Sequence, residues 1–314
     1  MAGSVLASTR MTYRIHRFEV RAILAATLLS VAVSALVVTW IETSGYADCL
    51  ITSGEPTVAC LGLEATGRWF ARVASMSILL VTFFPFVAGL LLGTPIVAKE
   101  IDSGTARLAW SLSPSRARWF IVRLVPMLIA VAVAGMTIGI VADVLVGVMS
   151  PGIDLARSFV AFHGRGVLIA TSAILIASVA VALGAILGRP TPTLLLALVL
   201  GGLTLFAVAE VHRKLVLPAE AVVAPIDESV GSDDLYIDGK FQLPDGTLAT
   251  WEELIARDPS IVESEFGPQY PFVSLIIPGE RYREIEVREA GVHAAISAVF
   301  LLAAGVVVLR RRPG

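Results

Sequence analysis

The sequence predicts an all-α membrane protein. It has six transmembrane helices, an N-terminal amphipathic helix, a short cytoplasmic helix between spans two and three, and a small α+β extracytoplasmic insertion before span six. Three observations predict this class. Hydrophobic residues make up 56% of the 314 and charged residues only 16%, where a soluble domain carries about a quarter charged; the mean hydropathy is +0.81. Six apolar runs reach the length of about 20 residues that a helix needs to cross a hydrocarbon core of about 30 Å. Most arginines and lysines in the flanks of these runs fall on one side, as orientation by positive charge requires.

The elements follow in order. Met11, Ile15 and Phe18 recur at helical spacing among Arg10, Arg14, Arg17 and Arg21, the pattern of a helix lying in the membrane interface. Span one runs near 22–41; it is full length and carries no small-residue cleavage pattern, so it is expected to stay as a span and not to be cut as a signal peptide. The first outer loop holds the chain's two cysteines, Cys49 and Cys60. Their confinement to one external loop predicts a disulfide. Spans two to five are placed near 73–97, 119–148, 166–187 and 193–210, and span six near 291–309. The third is longer than a bilayer needs, so it should tilt or project. Gly89/Gly93, Gly135/Gly139 and Gly184/Gly188 are pairs four apart that allow close helix approach in lipid.

Charge orients the chain. Arg10, Arg14, Arg17, Arg21, Lys99, Arg107, Arg116, Arg118, Arg123, Arg189 and Arg310–Arg312 share one side, against Arg68, Arg72, Arg157 and Arg165 in the short loops of the other. Both termini are therefore expected in the cytoplasm. The acidic segment 211–290 lies outside; it separates residues 1–210, which hold the first five spans, from span six and its tail, 291–314. Within it, "PDG" is a turn signal, and Thr250 with Glu253 forms a capping box, predicting a β-hairpin followed by a helix that stops before Pro259. Asp143 falls about 36 Å along span three from Trp119 at 1.5 Å per residue, near the outer interface, where a solvated helix end is expected. No basic patch beyond the topology signal supports nucleic-acid binding, and no spacing in the outer segment marks a metal site.

Between spans two and three stands "AKEIDSGTARLAWSLSPSRARW". Gly104 after Ser103 is a helix stop in the left-handed conformation. Thr105 can cap a new short helix, ARLAWSL, with Leu108 and Leu112 on one side. Ser113 as N-cap with Pro114 at N1 is a start signal for span three. The reading is a stiff helix of about two turns held off the membrane, suited to docking on another protein; an ordinary cytoplasmic loop is the bland alternative.

The stretch "LLLGTPIVAKEIDSGTARLAWSLSPSRARWFIVRL" resembles the permeases of type-two ABC exporters, the transmembrane subunits of ATP-binding-cassette transporters. It resembles especially an actinobacterial-looking branch with "ARE…GTxRLAWtqSxsRxRWl". Glu100, Gly104-Thr105, Arg107-Leu108-Ala109-Trp110 and Ser113–Trp119 carry the match, and "GRPTP" (Gly188–Pro192) adds to it; 211–290 finds no match in detail. The resemblance implies that the short helix near 105–112 is a coupling helix seated in a groove of a separate ATP-binding subunit. It implies that Glu100 anchors the end of span two, with Arg107 and Arg116 as candidate partners. Arg107, Leu108 and Trp110 would form the docking surface, and Ser113 and Pro114 the stiff corner.

No GxxxxGK[ST] occurs in the chain, so no P-loop is present to bind ATP. ATP and magnesium are expected on the partner subunit, and no cofactor on this chain. Six spans are half the exporter count that the resemblance implies, so a second permease copy is expected, a homodimer first. Apolar walls of Leu, Val, Ala and Phe fit a hydrophobic or amphipathic cargo: a drug, a peptide or a lipid-like molecule. The expected setting is a bacterial plasma membrane. Three other readings stand beside this one. A membrane sensor or assembly component could use the same docking helix. A membrane enzyme needs a convergent nucleophile or metal cluster, which the sequence does not offer. A secondary transporter needs ionisable groups and broken helices at the midplane, and Asp143 is too peripheral for that.

Overall fold

The computed structural model describes residues 13, 16–46, 49, 58–224, 233–257 and 270–311. Among the described residues six helices are long and apolar enough to cross a membrane, in the order expected. They are α1 (Arg17–Ser44), α2 (Val58–Asp102), α4 (Arg116–Met149), α5 (Gly166–Leu187), α6 (Pro190–Val211) and α9 (Tyr282–Arg310); the short α3 (Thr105–Leu112) lies between α2 and α4. Span four has the predicted limits. Most others run further: α2 begins well before 73, the fifth span continues through a π-turn at His212–Val216 and the short α7 (Leu217–Glu220), and α9 begins nine residues before 291. Hydropathy locates the stretch of a helix that lies in lipid, and backbone hydrogen bonding carries the helix on past it. Pro85, Pro95 and Pro126 stand inside α2 and α4, a placement that neighbouring helices in a membrane bundle tolerate.

The chain divides into two compact units, each described separately. The first comprises Met1–Gly152, Ala161–Leu205 and Glu286–Gly314. Its centre is α5, with 72% of its apolar window buried, against 11% for the fifth span and 22% for the sixth. Small residues make that centre possible. A Cβ on Gly93 would stand 2.7 Å from the Ala177 carbonyl oxygen and 2.9 Å from the Ala180 side chain, and one on Gly135 would stand 2.7 Å from Ala170 Cα. A Cβ on Gly139 would collide with the Gly166 carbonyl oxygen. The glycine pairs of spans two and three therefore seat α2 and α4 on α5 of the same chain. Gly93→Val is expected to destabilise the bundle by about 1–3 kcal/mol through overpacking. Gly202→Ala, where the nearest atom is a Phe86 carbon at 3.6 Å, should leave the detergent-solubilised melting temperature unchanged.

α1, α2 and α4 close a second cluster around Val37, Ile41, Ala74 and Leu145, with the Trp40 and Phe70 rings stacked at 4.0 Å. Most of the expected N-terminal amphipathic helix lies outside the described residues, Met11 and Ile15 included; Arg17, Phe18 and Arg21 stand in the first turns of α1. Cys49 is disulfide-bonded, and the side chain of Cys60, its expected partner, lies outside the described residues.

The second unit comprises Ile153–Val160 and Phe206–Ile285. It holds an antiparallel sheet in the order β1-β4-β2-β3, with β1 at Val222–Ala224, β2 at Leu235–Gln242, β3 at Leu248–Ala249 and β4 at Phe272–Ile277. The predicted hairpin is β2–β3, pairing Phe241 with Ala249. Asp245 Oδ1 accepts from the Thr247 amide at 2.9 Å, and Gly246 takes φ 81°. The capping box is formed at α8 (Trp251–Arg257): the Thr250 amide donates to Glu253 Oε2 at 2.9 Å, and the Glu253 amide donates to Thr250 Oγ1 at 3.3 Å. The Thr247 hydroxyl, donating to Asp245 Oδ1 at 2.6 Å, and then the Thr247 amide hold the Asp245 carboxyl below its ordinary range, and the Thr250 amide does the same for Glu253. The expected stop at Pro259 lies outside the described residues.

The central strand β4 was not foreseen. Its FVSLII run is β-branched and short, and it reads equally well as the approach to span six. Also unforeseen is residues 153–160, read as plain loop: the Phe159 amide donates to the Asp233 carbonyl at 3.1 Å, and Arg157 pairs with Glu280. Gly279 is packed so closely on the Arg157 carbonyl that no Cβ fits there.

Candidate functional site

The segment between α2 and α4 is built from local capping. α2 closes as the Ser103 amide donates to the Lys99 carbonyl at 3.0 Å and the Gly104 amide to the Ile101 carbonyl at 3.1 Å. Gly104 then turns at φ 72°, a conformation glycine adopts without the Cβ penalty. Thr105 does not cap α3, as the sequence predicted; it is the first helical residue, and its hydroxyl donates back to the Glu100 carbonyl at 3.4 Å. Gly104 holds the cap position.

The start of α4 also differs. Ser113 ends α3 in extended geometry, because the residue before a proline is excluded from the helical region. The N-cap of α4 is Ser115, whose Oγ accepts from the Arg118 amide at 3.1 Å. Pro114 is thus the middle of a rigid Ser113–Pro114–Ser115 corner, with Ser113 Oγ donating to the Ser115 carbonyl at 3.0 Å.

α3 turns two leucines outward and one tryptophan inward. Leu108 and Leu112 are 63% and 76% exposed, and Ala106 is buried. Trp110, expected on the docking surface, is half-buried with its ring edge-on to Trp119 at 5.8 Å. The Arg116 guanidinium lies 5.0 Å from the centre of the Trp110 ring, a cation–π contact. Trp110 is large and apolar enough to find cover inside the chain, and it fixes α3 to α4. The side chain of Arg107 lies outside the described residues.

Glu100 is buried and pairs with Arg123 at 2.8 Å. Of the two expected partners, Arg116 instead donates to the carbonyls of Leu309 at 3.2 Å and Arg311 at 2.6 Å, and the side chain of Arg107 lies outside the described residues. The reason is geometric. Arg123 lies two turns inside α4, facing α2, while Arg116 is at the first turn and faces the end of α9. The Arg123 guanidinium also lies 4.8 Å from the Trp119 ring centre. Beside this pair stand Lys99 and Glu19, 3.2 Å apart, and buried His16. Burial pushes the His16 imidazole below its ordinary range, against the pull of Glu19 and together with Lys99 and Arg123. Glu100 Oε2, Arg123 Nη1 and both His16 ring nitrogens have no hydrogen-bond partner among the described residues. One strong pair thus joins α2 to α4 just where α3 begins, with bonding capacity to spare.

A second polar group lies at the other end of α4, and sequence reasoning missed most of it. Asp143, 34% exposed as a helix-end acid should be, accepts from Arg165 at 3.1 Å, and that arginine side chain is only 2% exposed. Glu289, buried in α9, pairs with His163 at 3.1 Å. His293 is buried and meets the Thr171 hydroxyl at 3.2 Å. Glu286 is buried as well. With span six expected from 291, Glu286 and Glu289 fall in the outer segment, whose carboxylates read as a solvated face. The available signal was their i, i+3 spacing, continued to His293 four residues on. Among the described residues no three His, Cys, Asp or Glu side chains converge as a metal site.

Residues 20–213 match the family model described as ABC-2 membrane transporter related. The match covers the first five spans and the whole α2–α3–α4 segment. No curated protein and no solved structure resembles the chain closely enough to count as a match.

Proposed function

The chain belongs to the ABC-2 membrane transporter related family, a multi-pass permease component, and from that premise we propose that it is the membrane subunit of an ATP-driven exporter. ATP and magnesium bind to a separate ABC subunit, and this chain seats α3 in that subunit's groove. The observation that carries the reading is α3 itself: a two-turn helix that exposes Leu108 and Leu112 while Trp110 fixes it to α4, beside the Glu100–Arg123 pair that joins α2 to α4.

Mechanically, nucleotide-driven closure of the partner pushes α3. The Ser113–Pro114–Ser115 corner passes that motion into α4, and the ion pair shares it with α2. Two permease copies, a homodimer, then exchange one discrete packing for another, biased by contacts that differ between the two states. The weakly covered fifth and sixth spans, 11% and 22% buried, leave apolar faces for the second copy, lipid and a hydrophobic or amphipathic cargo. Both termini and α3 face the cytoplasm, and the sheet-bearing unit lies outside a bacterial plasma membrane.

The test is isolation of the tagged chain from its own membranes in mild detergent, followed by reconstitution. The expected result is a co-purifying ATPase whose hydrolysis in proteoliposomes rises with this chain present. Recovery of the chain with no ATPase, and no change in hydrolysis when candidate ABC ATPases of the same organism are added, would overturn the exporter reading.

A further inference from the structure

At the α3 end of the first unit, α4 and α9 enclose an apolar groove of about 520 Å³. Phe120, Ile121 and Leu124 form one wall, Leu301 and Leu302 the other, and Gly305 opens the floor. A second depression of about 510 Å³ adjoins it and shares Val306; its rim carries Arg310 and Arg311 over Ile186 and Val307. An apolar slot that runs into a cation-lined one fits one kind of molecule, with a hydrocarbon tail and an anionic head.

The two arginines differ in what they are free to do. Arg311 Nη1 donates to the carbonyls of Ala185 at 2.6 Å and Ile186 at 3.3 Å, closing the end of α5. Arg310 is exposed, and its side chain has no hydrogen bond or ion pair among the described residues. It sits in the last turn of α9, at the level where a long basic side chain reaches the headgroups. A guanidinium binds phosphate through a planar fork.

We propose that this feature is a selective site for an acidic phospholipid, one acyl chain lying in the α4–α9 groove and the phosphate on Arg310. The proposal does not rest on the exporter reading or on the identity of the cargo. Its consequence is regulatory. The groove's walls meet where Arg116 already ties the start of α4 to the end of α9, so a bound lipid braces the helix that follows α3.

The experiment is native mass spectrometry of the full-length protein, released from nanodiscs holding equal amounts of phosphatidylglycerol and phosphatidylcholine. The wild type should retain phosphatidylglycerol in preference to phosphatidylcholine. Arg310→Gln should reduce that retention about five-fold, the worth of one basic residue at a membrane surface, while Arg310→Lys keeps most of it. Gly305→Leu, which fills the groove, should reduce retention of both lipids. Arg213→Gln, at an exposed arginine already paired with Glu210, is the control and should change nothing. Equal retention of the two lipids, or no effect of Arg310→Gln, overturns the proposal. So does displacement of the lipid by inorganic phosphate alone, which would mark a plain anion site. Loss of dimer and not of lipid in Gly305→Leu also overturns it, since a second copy would then be the occupant. Melting temperature, recorded for every variant, separates lost binding from lost folding.

Discussion

Glu100→Ala is expected to lower unfolding stability by about 3–5 kcal/mol, the usual cost of leaving one member of a buried pair without its counter-charge. The side chains of Glu100 and Arg123 are only 8% and 13% exposed, and among the described residues Arg123 has no other carboxylate within ion-pair distance. Removal of both charges separates the structural cost from the functional one. Glu100→Met with Arg123→Met should regain most of the melting temperature, because two apolar side chains of similar volume often replace a buried pair without loss. Transport-coupled ATPase stimulation should stay low in that double variant if the pair carries motion from α3 into both helices. Stimulation that returns with stability would reduce the pair to a brace. An unchanged melting temperature in Glu100→Ala would remove the pair from the account altogether.

Leu108→Asp with Leu112→Asp should act in the opposite way, leaving the fold intact and abolishing partner binding. Both side chains are more than half exposed, and surface substitutions usually stay within about 0.5 kcal/mol. Two leucines buried in a partner's groove are worth about 3–6 kcal/mol together, so the affinity for the ATPase should fall at least about a hundredfold. Titration of the reconstituted permease with purified ATPase reads this directly. Trp110→Ala is the contrast: it should lower the melting temperature first, because its ring is packed against Trp119. Unchanged affinity in the leucine double variant would mean that α3 is not the docking element.

The sequence showed the spans well and the charges within them poorly, for one physical reason. Hydropathy reports where lipid surrounds a helix, so span four was delimited from composition alone. It does not report where a helix ends once it leaves lipid, and α9 therefore starts earlier than expected and carries Glu286 and Glu289 into buried positions. Capping is local chemistry, and so the Gly104 stop and the Thr250–Glu253 box were legible. The Ser113/Ser115 choice was not, because both serines flank the proline and only the backbone at Ser113 decides between them. Pairing across helices depends on rotation about the helix axis. That is why Glu100 was assigned to nearby arginines when its partner is Arg123, two turns into the next span. The roles of the short helix's residues came from resemblance, and the structure adds which of them face outward.

The two ionic groups on α4 also set its depth. Arg123 and Asp143 are twenty positions apart, so they are separated by about 30 Å along the helix, close to the thickness of the hydrocarbon layer. Each is tied to a neighbour, Arg123 to Glu100 in α2 and Asp143 to Arg165, the residue before α5. Like load lines painted at both ends of a hull, they fix the helix against vertical travel, since sliding either way would drag a charge into oil. Swinging about that waterline involves no such penalty, so the stroke expected of α4 in the proposed cycle is a rocking one and not that of a piston.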